Sequence, residues 1–241
     1  MMNKSFDWTT YSDDPNNEQA RAEVLPWLLN IRKVHLDSNL LDYVCDRTRG
    51  KRVLDIGVVS HSASYFEDEG WRHRRIRDAA AYCVGIDILE PLVNELNKRG
   101  FDVRCVDATS DADIGERFDI VFLGDVIEHV DNPVALLRFA GRHLAPDGRI
   151  LVSTPNPFSR KFYRRFRRHG TPIVNLDHCA WFTPTIALEL ARRAGLALIA
   201  YHLPKPFTGI RRLYHHFVWL FEPLEYSFPD YVFEFARPDV T

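Results

Sequence analysis

The sequence predicts a doubly wound α/β domain: a seven-stranded, mostly parallel sheet covered by helices, with N-terminal helices and a helical cap. Three observations predict it. Four apolar runs follow one another, and each ends on a carboxylate or glycine. They are Val53-Leu54-Asp55-Ile56-Gly57, Val84-Gly85-Ile86-Asp87, Val103-Arg104-Cys105-Val106-Asp107, and Phe118 through Gly124 to Asp125. Helix-length segments separate strands along the chain, as a parallel sheet requires. Finally, buried parallel strands read as unbroken apolar runs, with ligands bound outside their carboxyl ends. Polar residues recurring at that end converge on one crevice.

The elements follow in order. Residues 1–16 are polar, with a turn cluster at Asp13-Asp14-Pro15. Glu18 to about Asp46 reads as helical, with Val34, Leu36, Leu40, Leu41 and Val44 mixing i+3 and i+4 steps and a break at Pro26. Strand one runs near 52–56, irregular or helical sequence fills 62–81, and strand two covers 82–87. Glu90 to Arg99 is a short helix closed by Gly100. Strands three and four lie at 102–106 and 118–123. Asn132-Pro133 opens a helix through Leu144, and Pro146-Asp147-Gly148 turns into strand five at 149–153. Thr183-Pro184 starts a helix that ends at Gly195, before strand six near 196–201, and a last strand is expected at 231–235. The divisions are an N-terminal helical segment (1–49), a central domain (50–202) with a cap insertion (157–180), and an aromatic C-terminal segment (203–241).

Composition narrows the function. With 31 basic and 33 acidic residues, no global field attracts nucleic acid, and none is expected as a partner. Cys45, Cys83, Cys105 and Cys179 form no C-x-x-C pair, which speaks against zinc and for a reducing compartment. No signal peptide or membrane-spanning run is read, so the expected location is cytoplasmic.

Taken together, the strand-end motifs resemble class I S-adenosylmethionine-dependent methyltransferases, a Rossmann-like fold, over roughly residues 50–202. The resemblance rests on Val53–Gly57, Asp87, Asp107-Ala108, Asp125-Val126-Ile127-Glu128-His129, Leu144–Arg149, Ser153-Thr154-Pro155-Asn156, and His178–Pro184. The last block is similar to the start of a late helix in small-molecule and sugar methyltransferases. The resemblance implies S-adenosylmethionine as cofactor and assigns roles. Gly57 turns the backbone beneath the methionine, and Asp55 holds its ammonium. Asp87, with Ile88 beside it, takes the ribose hydroxyls. Asp107 and Ala108 read the adenine, and Gly124 and Asp125 border the methionine. The departure is Gly57-Val58-Val59-Ser60, where two further glycines are usual. Either Ser60 or Ser62 supplies a contact there or binding is weakened. The 32 residues from Asp55 to Asp87 are also a long spacing.

Methyl transfer from a sulfonium needs positioning, and a hydroxyl acceptor must also lose a proton. His178, His129 and Glu128 are the catalytic candidates, with Asp177 beside His178. On a helix, Asp125, Glu128 and His129 share a face, and with His178 they would suit a divalent cation, as some related quinone methyltransferases use such a block. The reading adopted is caps and cofactor contacts, with no metal. Phe158, Phe162 and Phe166 recur among Arg160, Lys161, Arg164, Arg165, Arg167 and Arg168, making an amphipathic basic helix. The expected use is an anionic acceptor clamp; a solvated face and peripheral membrane contact are the alternatives. Asn156, Arg160, Arg164, Arg165, Asp177 and Trp181 are the expected acceptor residues. The aromatic tail is read as core, with a homodimer interface as an alternative. The expected activity is O-methylation of a saccharide or another small acceptor, neutral or anionic. The rivals are an inactive cofactor-fold protein acting as an interaction partner, a metal-assisted quinone-like O-methyltransferase and a dinucleotide binder.

Overall fold

The computed structural model describes residues 6–59 and 62–239. One eight-stranded sheet runs through it in the order β1-β7-β8-β6-β5-β2-β3-β4. The strands are β1 (Arg32–His35), β2 (Arg52–Ile56), β3 (Tyr82–Asp87), β4 (Val103–Cys105), β5 (Phe118–Gly124), β6 (Leu144–Pro155), β7 (Ala197–Pro204) and β8 (Asp230–Ala236). All pairings are parallel except those of β8, which lies antiparallel between β6 and β7. All seven expected strands are present. Strand order reverses between β2 and β5, and a crevice opens at their carboxyl ends.

Alternation along each strand divides the core. Leu54, Ile56, Val121 and Leu123 face α1 (Glu18–Ile31), α5 (Pro133–Arg142) and α7 (Pro184–Ala194) through Leu28, Leu136, Leu137 and Leu188. Val53, Ile120 and Phe122 face α2 (Leu40–Thr48) and α3 (Arg72–Ala79) through Tyr43, Val44 and Ile76. Helix α4 (Glu90–Lys98) covers a smaller cluster at the β4 edge.

Two N-terminal expectations need correction. Helix α1 continues through Pro26, because buried Leu28 and Ile31 hold its second half on the sheet. Val34 belongs to no helix: Arg32–His35 pairs with Tyr201–Pro204 as the eighth strand. Its Arg-Lys-Val-His sequence lacks an apolar run because it lies at the sheet's edge, where charge discourages further pairing. The expected basic helix forms as α6 (Arg160–His169), stopped by Gly170 at φ +72°. Helix α8 (Ile210–Val218) precedes β8.

Candidate active site

A cleft of 610 Å³ lies at the carboxyl ends of β2, β3 and β5. It brings together Gly57, Asp87, Ile88, Asp107, Ala108, Gly124 and Asp125, seven residues singled out from sequence. Ser60 lies outside the described residues. Gly57 sits at φ +76°, and a Cβ there would meet Val126 Cγ2 at 2.2 Å. Only glycine fits.

The missing glycines have a structural counterpart. Val58 and Val59 are buried with Phe66, Trp71, Val93 and Leu96, so the loop is packed on core, and of the two valines Val59 also borders the cleft. The Val59 N–H donates to Asp87 Oδ2 at 2.8 Å, while Ile88 and Leu89 N–H donate to Oδ1 at 2.8 and 3.1 Å. Three backbone donors fix the carboxylate's orientation, and the loop is braced on the strand-end acid. Asp107 takes both Thr109 donors on Oδ1 at 2.7 Å, and these bonds hold its pKa below the usual carboxylate range.

Asp55 is placed elsewhere. Its side chain is fully buried and Oδ2 lies 2.8 Å from His73 Nδ1 on α3. The reason is strand alternation: Asp55 lies inside β2, one residue before its end, and faces the helix layer. The cation in the cleft is Arg72, which sequence reasoning missed. Its guanidinium donates to the Gly124 carbonyl at 2.7 Å, the Gly57 carbonyl at 3.3 Å and Asp125 Oδ2 at 3.1 Å. Asp125 holds φ +52°, rare for a non-glycine residue, and is pinned by Ser153, whose hydroxyl donates to Oδ1 at 3.0 Å. No sequence signal links Arg72 to a strand end 52 residues away.

The Asp125–His129 block does not form the expected helical face. It is a three-residue 3₁₀ turn, Ile127–His129, and Asp125 lies outside it, paired with Arg72. Glu128, His129 and His178 nevertheless converge, with ligand atoms all within 4.8 Å of one another. Cys179 N–H donates to the Glu128 carbonyl at 2.9 Å and fastens the His178 loop to the turn. His129 Nδ1 lies 3.1 Å from Asp177 Oδ2, and both residues line the cleft. Burial, then the neighbouring His129, lowers the His178 pKa. Glu128 is buried; desolvation and then Asp125 push its pKa up to about 7. Thr154 Oγ1 donates to Glu128 Oε2 at 3.1 Å, while the buried Oε1 has no partner.

A second cavity, of 850 Å³, is walled by Phe158, Phe162, Tyr163, Phe166, Trp181 and Tyr231. Thr154 pairs in register with Tyr231, which connects Glu128 to this wall. Asp230, another residue the sequence did not single out, precedes Tyr231; burial, then Asp125, raises its pKa to about 6. Of the expected acceptor residues, Trp181 lines the cavity. Asn156 does not: it is fully buried, and its amide bonds the Glu225 and Phe228 carbonyls and the Phe158 N–H. Arg160 and Arg165 lie over the rings of Tyr214 and Phe162, and with Arg164 they stay off the cavity wall.

The arrangement fits S-adenosylmethionine: a cleft of suitable size, a glycine turn that rejects a Cβ, and acids at successive strand ends. A methyltransferase-domain family matches residues 29–201. The ubiquinone biosynthesis O-methyltransferase of Aeromonas salmonicida is 25% identical over 225 residues, 83% of each chain. Among solved structures, the CcbJ methyltransferase of Streptomyces caelestis aligns with a TM-score of 0.55 at 13% identity, covering 81% of this chain and 87% of that one. The magnesium protoporphyrin IX methyltransferase of Synechocystis, solved with S-adenosylhomocysteine, aligns at 0.52 and 14% identity over 95% and 91%. Fold, cleft and matched length agree: the chain belongs to the methyltransferase-domain family and is an S-adenosylmethionine-dependent methyltransferase.

Proposed function

We propose that the chain O-methylates a hydroxyl on a largely apolar ring, held in the aromatic cavity, with Glu128 taking the hydroxyl proton. The observation that carries this is Glu128, a buried carboxyl with pKa about 7 and a free Oε1. It adjoins the cleft residue His129 and is bonded to Thr154, the register partner of Tyr231 in the cavity wall. A group titrating near neutrality is suited to general-base work. Bound in the cleft, the cofactor supplies an electrophilic methyl group. Asp87 and Asp107 hold its nucleoside, Ile88 offers an apolar contact, and Arg72 meets its amino-acid end. Stacking against Trp181 and Phe162 orients the acceptor and excludes water. The relative named for ubiquinone biosynthesis is an O-methyltransferase, which supports an oxygen acceptor and a quinone-type ring. A saccharide is less well matched to a wall made mainly of Phe, Tyr, Trp and Pro, with Glu222 and Glu225 as its charged members.

The convergence of Glu128, His129 and His178 favours a second form of this reading. One carboxylate and two imidazoles suit a divalent cation, which would act as a Lewis acid on the acceptor oxygen.

The test is transfer of labelled methyl from S-adenosylmethionine to catechols, hydroxylated quinols and free hexoses, with and without chelator. Label on the phenolic compounds alone is expected. Label confined to hexoses would remove the apolar-ring reading, and activity unchanged by chelator would remove the metal. Titration of wild type and Asp87→Ala with S-adenosylhomocysteine checks the cleft separately.

A further inference from the structure

Helix α8 turns one side inward and leaves an apolar row outside. The inward side is fixed by Ser227, whose hydroxyl accepts from the Trp219 indole at 2.9 Å and lies 2.8 Å from His215 Nδ1. Ile210, Leu213, Tyr214 and Phe217 recur at i, i+3, i+4 and i+7, and Leu220 and Phe221 prolong the row. All six are exposed, Ile210 by 83% and Phe217 by 61%. An amphipathic helix normally turns such a stripe to the core. Here Trp219 and His215 already provide the packing side. Isolated exposed apolar residues are ordinary, whereas a contiguous row marks an interaction surface.

Helix α6 adjoins this row, since the Arg160 guanidinium lies 5.7 Å from the Tyr214 ring centroid. It carries six Lys or Arg side chains and no acid. Arg164, Arg165, Arg167 and Arg168 have no ion-pair partner among the described residues. Phe158 and Phe166 are exposed beside these cations.

We propose that the α8 row and the α6 cations form a docking surface for an anionic lipid bilayer. The apolar side chains enter the boundary between headgroups and acyl chains, and the arginines lie on lipid phosphates. Charge complementarity selects this occupant. A second copy meeting the same patch isologously would set the α6 cations against their own counterparts. An anionic bilayer presents phosphate and hydrocarbon together. No helix among the described residues is long and apolar enough to cross a membrane, so the contact is peripheral. The proposal holds whichever acceptor is methylated.

The test is cosedimentation of the full chain with phosphatidylcholine vesicles, with and without phosphatidylglycerol, alongside analytical ultracentrifugation. Bound protein should rise at least ~10-fold with the anionic lipid and fall with added salt. Leu213→Ser/Phe217→Ser and Arg167→Glu/Arg168→Glu should each abolish binding while retaining wild-type affinity for S-adenosylhomocysteine. Equal binding to neutral vesicles, or no vesicle binding, would overturn the proposal. So would dimerisation without vesicle binding that the same substitutions remove. Should a variant fail to fold, salt release of the wild type from anionic vesicles decides the matter.

Discussion

The Arg72 guanidinium donates to the Gly124 carbonyl at 2.7 Å, and a Cβ on Gly124 would meet Arg72 Cζ at 2.3 Å. The glycine and the arginine are therefore one device: a cation set among oxygens at the mouth of the cofactor cleft. Arg72→Ala should weaken S-adenosylhomocysteine binding ~10–100-fold, the worth of a charge-assisted hydrogen bond. Binding of 5′-methylthioadenosine, which lacks the amino-acid half, should hold. Gly124→Ala should reproduce this split by displacing the side chain. Calorimetric titration with both nucleosides checks it, and equal losses for the two would refute a role at the amino-acid end.

Glu128 gives a pH profile with a definite sign. The pKa of its folded form is raised from 4.5 to about 7 by burial and by Asp125. Methyl transfer should rise with pH through about 7 as the carboxylate forms, and Glu128→Gln should lose that limb with most of its rate. Stability runs the other way. The contribution of the neutral form is complete below 4.5 and is lost as pH rises through about 7. Denaturant midpoints of Glu128→Gln should therefore exceed those of wild type most clearly on the alkaline side.

The opposite dependence belongs to Glu234. It accepts both Arg47 guanidinium nitrogens at 2.9 and 2.6 Å and lies 2.8 Å from His202 Nε2. Burial alone would raise its pKa, but these bonds outweigh it and bring the value from 4.5 down to about 2. The stability it contributes is present above 4.5 and is lost as pH falls through about 2. Arg47→Ala leaves a buried carboxylate without its main partner and should cost about 3 kcal/mol. Urea unfolding near neutral pH measures this.

Gly57→Ala combines an unfavourable φ of +76° with a 2.2 Å approach to Val126. It should cost about 1–3 kcal/mol and distort the cleft floor. Adding Val126→Ala should recover the steric part alone. Recovery of all stability would show that the backbone angle carries no strain.

What sequence could show here was periodicity and punctuation. The apolar runs located β2, β3, β4 and β5, and the residues at or just beyond their ends, Gly57, Asp87, Asp107 and Gly124, do line one cleft. One position inside a strand was enough to mislead, because Asp55 faces α3 by alternation. Arg72 was hidden for a different reason: nothing local records which strand end a long side chain reaches. Asn156 carries the residue type of an acceptor contact, but its amide closes bonds to Glu225 and Phe228, near neighbours only after β8 has paired. The short β1 lacks an apolar run because an edge strand is held from one side.

Strand β8 lies between β6 and β7, yet its residues are made after both. A ribosome adding ~5–20 residues per second leaves the inner edge of β6 waiting for seconds before residues 230–236 arrive. During that interval β6 and β7 flank an open lane of unpaired backbone lined with apolar side chains, a template for any neighbouring nascent chain. A premature stop before Asp230 would therefore produce an aggregation seed rather than a shortened enzyme. Cellular yield should depend on whatever shields that lane during translation.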